Sequence, residues 1–340
     1  MPSLAPSLRD LPARAGHPTY DTGGVTVPGT RTSARTRTRS RTWRAERELD
    51  LATTLGPMRR GSGDPTMRVA RGEVWRATRT PEGPATVRIA SISPCAVRAS
   101  AWGPGAAWAL HALPALLGAH DEACGFTPRH PCIREAWRRH RGWRVPRSGQ
   151  VMEALVPAVL EQKVTGREAW GAWRHLLRRY GEPAPGPAAL LPPGMRIPPA
   201  PEVWRRVPSW EWHRAGVDSS RSRTVVTAAG AAGRLEAVSD LPHDVAGARL
   251  RTLPGIGAWT AAEVAQRALG DPDAVSVGDY HLSSLVGTAL VGERVDDDAM
   301  LELLEPYRGH RYRAVRMIEL SGVRIERHGP RYAGRDYRAL

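Results

Sequence analysis

The spacing of apolar residues changes along the chain, and this change constrains the fold more than any other feature. Between Glu48 and Arg98, short runs such as Glu73-Val-Trp-Arg-Ala-Thr alternate apolar with polar residues and are separated by glycine and proline. A period of two predicts antiparallel strands. From Trp108 onward the apolar period moves toward 3.6, which predicts helices; the first such set is Leu110, Leu113, Leu116 and Leu117. The sequence therefore predicts an α+β fold with an N-terminal antiparallel β domain followed by mainly helical structure.

The charge of the chain favours a polyanionic partner. The 340 residues contain 49 Lys plus Arg against 34 Asp plus Glu, a formal net charge of +15. Nucleic acid is favoured over an anionic membrane surface. Lys163 is the single lysine, and arginine suits bidentate phosphate contacts, although codon bias produces the same preference.

Several protein classes are disfavoured by the sequence. Cys95, Cys124 and Cys132 lack the short paired spacings of zinc or iron–sulfur ligands, so we predict no metal and a reducing compartment. No window approaches the length of an apolar membrane span, and the N-terminus has no apolar region before a small-residue cleavage site. We expect a cytoplasmic protein that contacts no membrane.

Four segments are predicted along the chain. Residues 1–44 hold eight arginines against Asp10 and Asp21, so we expect a disordered basic arm over 1–48. This arm either adds nonspecific affinity for nucleic acid or is a dispensable extension. The β domain is predicted over 49–118, a helical domain over 119–240, and a second helical lobe over 241–340.

The segment Leu253-Pro-Gly-Ile-Gly257 precedes the helix-like run from Ala258 to Leu269. Two glycines around one apolar residue predict a tight turn between helices. Such a turn exposes backbone N–H groups beside a helix N-terminus, where a phosphate oxygen can bind without sequence preference. The alternative is an ordinary helical hairpin whose glycines only permit positive φ.

Asp279 lies 22 residues after Gly257, at the predicted start of another helix. That helix is indicated by the helical spacing of Leu282, Leu285, Val286, Ala289 and Leu290. The commonest role of Asp at this position is an N-cap. A carboxylate there can also stabilise a positively charged transition state, and the two roles can coexist.

Together these residues resemble the helix-hairpin-helix DNA glycosylases, and among them the 3-methyladenine DNA glycosylase II branch. The resemblance covers about residues 49–320 and implies two helical lobes with the active site in the cleft between them. Four segments carry it beside the β strands: Leu253-Pro-Gly-Ile-Gly-Ala-Trp-Thr-Ala261 with Val277-Gly-Asp-Tyr280, Leu155 to Thr165, Pro306 to Tyr312, and Leu51 to Arg60.

The resemblance also implies roles for individual residues. Asp279 would be catalytic, and Trp259, Tyr280 and His281 would line the base pocket. His281 and Glu263 stand where the family tends to have apolar and aromatic pocket residues, which puts the base preference in doubt. The implied DNA-binding residues are Gln162 as gap filler, Lys163 as a phosphate or base-edge contact, Leu253, Gly255, Gly257 and Thr260.

The implied activity is hydrolytic removal of alkylated purines from double-stranded DNA in base excision repair. Lyase-competent relatives carry a lysine just after the hairpin, where this chain has Trp259, and the iron–sulfur branch carries cysteines after the catalytic aspartate, where this chain has none. We therefore expect a monofunctional, monomeric enzyme without cofactor or metal, associated with the nucleoid. The alternatives are a glycosylase for a deaminated or oxidised base and a noncatalytic DNA-binding protein.

Overall fold

The computed structural model describes residues 37–70 and 72–325. Its N-terminal part is a five-stranded antiparallel sheet with strand order β1-β5-β4-β3-β2. The strands are β1 (Arg39–Arg44), β2 (Met67–Ala70), β3 (Glu73–Thr80), β4 (Gly83–Ser93) and β5 (Ala96–Trp102). Alternation along β4 buries Ala85, Val87 and Ile89 in one core with the short helices that follow the sheet, so the predicted β domain is confirmed.

Strand β1 corrects the predicted boundary of the basic arm. Arg39–Arg44 pairs with β5 in antiparallel register, from Arg39 opposite Ala101 to Arg44 opposite Ala96. Trp43 packs against the β-domain core, and Arg41 Nη1 donates to the carbonyl oxygen of Leu110 at 2.8 Å. The arginine-rich composition of this segment suggested disorder, although its side chains alternate between exposed and partly buried positions as in a strand. The rest of the predicted arm, residues 1–36, lies outside the described residues.

Fifteen α-helices lie within the described residues. Three flank the sheet: α1 (Leu51–Leu55), α2 (Ala106–His111) and α3 (Leu113–Leu116). The others are α4 (Pro131–Arg139), α5 (Val151–Leu160), α6 (Gly166–Tyr180), α7 (Pro201–Arg206), α8 (Ser209–Arg214), α9 (Ser219–Gly230), α10 (Ala232–Glu236), α11 (His243–Leu250), α12 (Ala258–Val264), α13 (Leu282–Leu290), α14 (Asp297–Leu304) and α15 (Arg311–Leu320). A ribbon of β6 (Glu182–Pro183) and β7 (Arg196–Ile197) follows α6. The α+β fold class is confirmed.

The helices form two cores that do not follow chain order. One core, which we call the hairpin lobe, draws its residues from 151–269. The other, the closing lobe, combines 126–145 with 282–318. The predicted division at residue 240 is therefore wrong, because α12 packs on α5 and shares the core of the hairpin lobe with residues before 240. The chain thus forms the first part of the closing lobe, then the whole hairpin lobe, and then the second part of the closing lobe.

A buried polar cluster attaches the hairpin lobe to the sheet. Arg76 and Thr78 on β3 meet Gln150 and Glu153 at the start of α5. The Arg76 Nη2 to Glu153 Oε1 distance is 2.6 Å, and the Thr78 hydroxyl donates to Gln150 Oε1 at 2.7 Å. Because each buried polar group has a partner, the contact fixes the orientation of α5, which leads directly into the loop beside the hairpin.

Candidate active site

The hairpin turn joins α11 to α12, and its two glycines have different roles. Gly255 has φ +88°, and a Cβ there would lie 2.1 Å from Thr224 Oγ1 on α9. Gly257 is extended at φ −92°, and no atom lies within 4 Å of the position a Cβ would take. Gly255 is therefore required for packing and for positive φ. Gly257 presents open backbone at the start of α12, where the first N–H groups have no intrahelical partner.

The loop between α5 and α6 is tied to this turn by Gln162. Its Nε2 donates to the carbonyl oxygen of Gly255 at 2.9 Å and to Thr260 Oγ1 at 2.8 Å. The next residue, Lys163, is exposed and has φ +56°, the only positive value at a non-glycine residue in the described part of the chain. Such a conformation costs about 1–2 kcal/mol. The structure thus brings the two predicted DNA-facing segments together and presents Lys163 to solvent.

Two of the residues predicted to contact DNA have buried side chains. Leu253 is 7% exposed and belongs to the core of the hairpin lobe, so it stabilises the turn from inside. Thr260 is 2% exposed, and its hydroxyl oxygen accepts the hydrogen bond from Gln162. Both residues follow the helical periodicity inward, which leaves the backbone of the turn as its outer surface.

Asp279 is fixed by three N–H donors. Its Oδ1 accepts from the backbone N–H groups of His281 at 2.9 Å and Leu282 at 3.1 Å, and this caps α13. Its Oδ2 accepts from Trp259 Nε1 at 3.2 Å. A carboxylate oxygen has two lone pairs, so Oδ2 keeps one for a further partner. The helix-start position predicted for Asp279 is confirmed, and the capping role coexists with a free acceptor site.

The three predicted base-pocket residues are placed differently. Trp259 is half-buried and orients Asp279 through its indole N–H. His281 lines a cavity beside Asp279. Tyr280 is 90% exposed, lies edge-to-face on the His281 ring and does not line this cavity, so its role as a pocket wall stays a prediction.

The cavity has a volume of about 140 Å³ and lies between the hairpin lobe and the closing lobe. Polar and apolar atoms contribute about equally to its walls. The polar lining residues are Glu263, Gln266, Arg267, Ser276, Asp279, His281, Tyr312, Arg316 and Glu319.

Four of these residues form a hydrogen-bonded group that we call the cavity floor: Glu263, Gln266, Arg267 and Ser276. Glu263 Oε1 accepts from the Ser276 hydroxyl at 2.8 Å, and Glu263 Oε2 lies 2.8 Å from Arg267 Nη1. Gln266 Nε2 donates to Ser276 Oγ at 3.0 Å. Sequence reasoning noted Glu263 but missed the other three. For Gln266 and Arg267 the available signal was spacing, since helical residues three and four apart share one face with Glu263; Ser276 lies outside the helix and had no such signal.

The opposite wall comes from α15. Tyr312 is 4% exposed, and burial raises the pKa of its hydroxyl, with opposing contributions from Arg316 and Arg267. Arg316 Nη1 is paired with Glu319 Oε2. Of the charged side chains that line this cavity within the described residues, Glu263 pairs with Arg267 and Glu319 pairs with Arg316, whereas the Asp279 carboxylate forms no ion pair. The uncompensated charge of the site is therefore negative and lies at Asp279.

Two searches of the described residues gave no site of another kind. In residues 37–70 and 72–325, no group of three or more His, Cys, Asp or Glu side chains is arranged to hold a metal ion. No helix in the described part of the chain has both the length and the apolar character needed to cross a membrane.

Comparisons with known proteins place this geometry in context. No family model matches the sequence. A protein of Mycobacterium tuberculosis named probable bifunctional transcriptional activator/DNA repair enzyme AlkA is 32% identical over 154 residues. The match covers 45% of this chain and 30% of that relative's length.

Solved structures match over a larger share of the chain. The 3-methyladenine DNA glycosylase of Archaeoglobus fulgidus is similar with a TM-score of 0.66 at 16% identity, covering 82% of this chain and 97% of that one. The apo form of the 8-oxoguanine glycosylase/lyase of Clostridium acetobutylicum gives 0.64 at 11% identity, covering 83% and 96%. The chain therefore shares the fold of these two DNA glycosylases. At these identities the similarity concerns the fold alone, and base specificity has to be inferred from the residues of the site.

Proposed function

We propose that this protein is a monomeric, monofunctional DNA glycosylase that hydrolyses the N-glycosidic bond of alkylated purines in double-stranded DNA during base excision repair. The observation that carries the proposal is the Asp279 carboxylate, held by three N–H donors at the edge of an interlobe cavity of about 140 Å³. The hairpin turn supplies the second element, an open backbone surface at Gly257 suited to a phosphate.

The chemistry requires that the damaged nucleotide leave the base stack, at a cost of a few kcal/mol. With the base in the cavity, the sugar lies toward Asp279. The bond between C1′ and the purine nitrogen breaks, and its electron pair leaves with the base. Because an alkylated purine already carries positive charge, it departs as a neutral species and needs little protonation. Asp279 stabilises the positively charged sugar and orients the water whose oxygen forms the new bond to C1′.

Two features support hydrolysis over lysine-based strand cleavage. The position after the hairpin that carries the amine in lyase-competent glycosylases is Trp259, which here holds Asp279 instead. Lys163, the single lysine of the chain, lies on the loop tied to the outer side of the turn by its neighbour Gln162. The choice of alkylated purines is supported by the name of the similar Archaeoglobus fulgidus structure, a 3-methyladenine DNA glycosylase, while the name of the Mycobacterium tuberculosis relative supports DNA repair.

The test is quantification of free bases released from duplexes that contain 7-methylguanine, hypoxanthine or 8-oxoguanine. We expect release of the methylated base, an intact strand on a denaturing gel run without heat or alkali, and no loss of activity in EDTA. Release of only the deaminated or only the oxidised base would show that this base, and not an alkylated purine, is the substrate. A cut strand would contradict the monofunctional mechanism, and DNA binding without any base release would indicate a noncatalytic DNA-binding protein.

A further inference from the structure

The cavity that would receive the base offers hydrogen-bonding groups more than stacking surfaces. Of its lining residues, Tyr312 and His281 are the only aromatic side chains, while the floor consists of Glu263, Gln266, Arg267 and Ser276. Selection by stacking requires aromatic faces above and below the ring. A base in this cavity instead meets a carboxylate whose position is already fixed.

The floor holds Glu263 in one orientation through side chains that are themselves held. The Ser276 hydroxyl and Arg267 each engage one carboxylate oxygen, at 2.8 Å in both cases. Arg267 is anchored in turn by Nε donating to the carbonyl oxygen of Pro57 at 2.9 Å. Gln266 Nε2 donates to the Ala274 carbonyl at 3.0 Å as well as to Ser276. Each carboxylate oxygen accepts up to two hydrogen bonds, so Glu263 keeps acceptor capacity toward the cavity.

We propose that Glu263 selects the substrate by accepting a hydrogen bond from the exocyclic amino group of the flipped purine. This rests on the proposed glycosylase function and narrows it. The enzyme then acts on methylated purines that keep an exocyclic amino group, at C6 in 3-methyladenine and at C2 in 7-methylguanine, each bound with that group toward Glu263. It rejects purines whose amino group is lost, as in hypoxanthine, or bridged, as in ethenoadenine.

The charges of the cavity agree with this selection. Arg267 and Arg316 are each paired with a glutamate, so neither presents an uncompensated positive charge to a cationic methylated purine. A base without an amino donor would face the Glu263 carboxylate with a ring or carbonyl acceptor, and a buried acceptor left unpaired is penalised. Sites that use buried polar groups discriminate far more strongly than apolar pockets do, since the rejected ligand leaves those groups unsatisfied.

The experiment measures single-turnover base release by the wild type and by Glu263→Gln from three duplexes, containing 7-methylguanine, hypoxanthine or ethenoadenine. The variant is expected to release 7-methylguanine about 10- to 100-fold more slowly, the loss of a hydrogen bond to a charged group. Its release of hypoxanthine and ethenoadenine is expected to stay unchanged or to rise. The matched control is Glu211→Gln, which alters another buried glutamate of the hairpin lobe paired with an arginine, Arg214, away from the cavity lining.

Glu263→Gln also disturbs the pair with Arg267, so a second variant guards against misfolding. Ser276→Ala keeps the Glu263 charge and removes only the hydroxyl that orients it, and a smaller loss confined to 7-methylguanine is expected, with thermal unfolding measured for each variant. Wild-type release of ethenoadenine as fast as 7-methylguanine, or an equal loss on all three duplexes in both variants, would overturn the role of Glu263 and leave the glycosylase function standing. No release from any duplex by the wild type would instead overturn the function itself.

Discussion

The two ends of α12 present different groups: backbone at the start and charged side chains at the end. At its start, the turn through Gly255 and Gly257 exposes backbone and hides its side chains, as the burial of Leu253 shows. At its end, the charged side chains of Glu263 and Arg267 line the cavity; Arg267 belongs to the π-helical segment Ala265–Leu269 that follows α12. A surface made of backbone holds any phosphate alike, whereas fixed side chains distinguish one base from another. DNA affinity and base choice should therefore respond to different mutations, although a few residues of one helix separate them.

The largest expected effect comes from Asp279→Asn. The amide oxygen can still accept from the N–H groups of His281 and Leu282, so α13 keeps its cap, but the charge that stabilises the transition state is gone. We expect base release to fall on the order of 10³-fold. The Kd for duplex DNA, measured by fluorescence anisotropy, should stay near that of the wild type because no phosphate contact changes. Turnover close to the wild-type rate would exclude the mechanism.

Gly257→Val tests the opposite end of α12. A Cβ at this position meets no protein atom within 4 Å, so the added side chain projects into the space proposed for a phosphate and leaves the fold intact. Affinity should fall by about 10- to 100-fold for undamaged and methylated duplexes alike, since backbone contacts carry no base preference. The rate at saturating protein should change little.

Gly255→Ala is the matched control for that variant. Here the new Cβ would lie 2.1 Å from Thr224 Oγ1, at a residue with φ +88°, so the cost falls on folding. We expect a loss of about 1–3 kcal/mol in the free energy of unfolding. The contrary result is that Gly257→Val binds both duplexes as well as the wild type does and unfolds at the same temperature. The turn would then be purely structural, and the start of α12 would have no role in DNA binding.

Trp259→Phe probes the residue that connects the two regions. It lies in the first turn of α12 and donates its indole N–H to Asp279 Oδ2 at 3.2 Å. Phenylalanine keeps a ring and removes the donor, so base release should fall about tenfold with Kd unchanged. The measurement is single-turnover kinetics beside a binding titration. An equal loss of affinity would mean that the DNA surface and the catalytic site are coupled through this side chain.

The smallest effect is expected at Asp218, which caps α9, the helix against which Gly255 packs. Burial raises the pKa of this carboxyl, but hydrogen bonds and the charge of Arg221 outweigh burial, so the pKa lies below its ordinary value. A depressed folded-state pKa contributes stability that is complete above the unfolded value, near pH 4, and is lost as the pH falls through the folded value.

Asp218→Ala should therefore reduce the free energy of unfolding by about 1 kcal/mol at pH 7, measured by urea denaturation. Asp218→Asn keeps a side-chain acceptor for the cap and should lose less. The difference between wild type and Asp218→Ala should shrink as the pH is lowered below about 4. A difference that grows under acid would contradict the assigned direction.

The sequence by itself determined the features that depend on local spacing. The period of two predicted the sheet, the period of 3.6 predicted α13, the helix-like run after the hairpin predicted α12, and the glycine pair predicted the turn. The position of Asp279 at a helix start was also readable, because capping depends on residues only two and three positions ahead. These properties depend on residues within one or two turns of each other, so they can be predicted from the order of residues alone.

Tertiary structure alone decided which segments share a core and which side chains face the cavity. Residues 126–145 pack with 282–318 because apolar faces combine by complementarity and not by order along the chain. Strand β1 forms because β5 offers an unpaired edge, although its own composition resembles a disordered arm. The cavity combines Glu263 with Tyr312 and Arg316, which are distant in sequence. Burial then makes the polar contacts of these residues strong, and the sequence does not record burial.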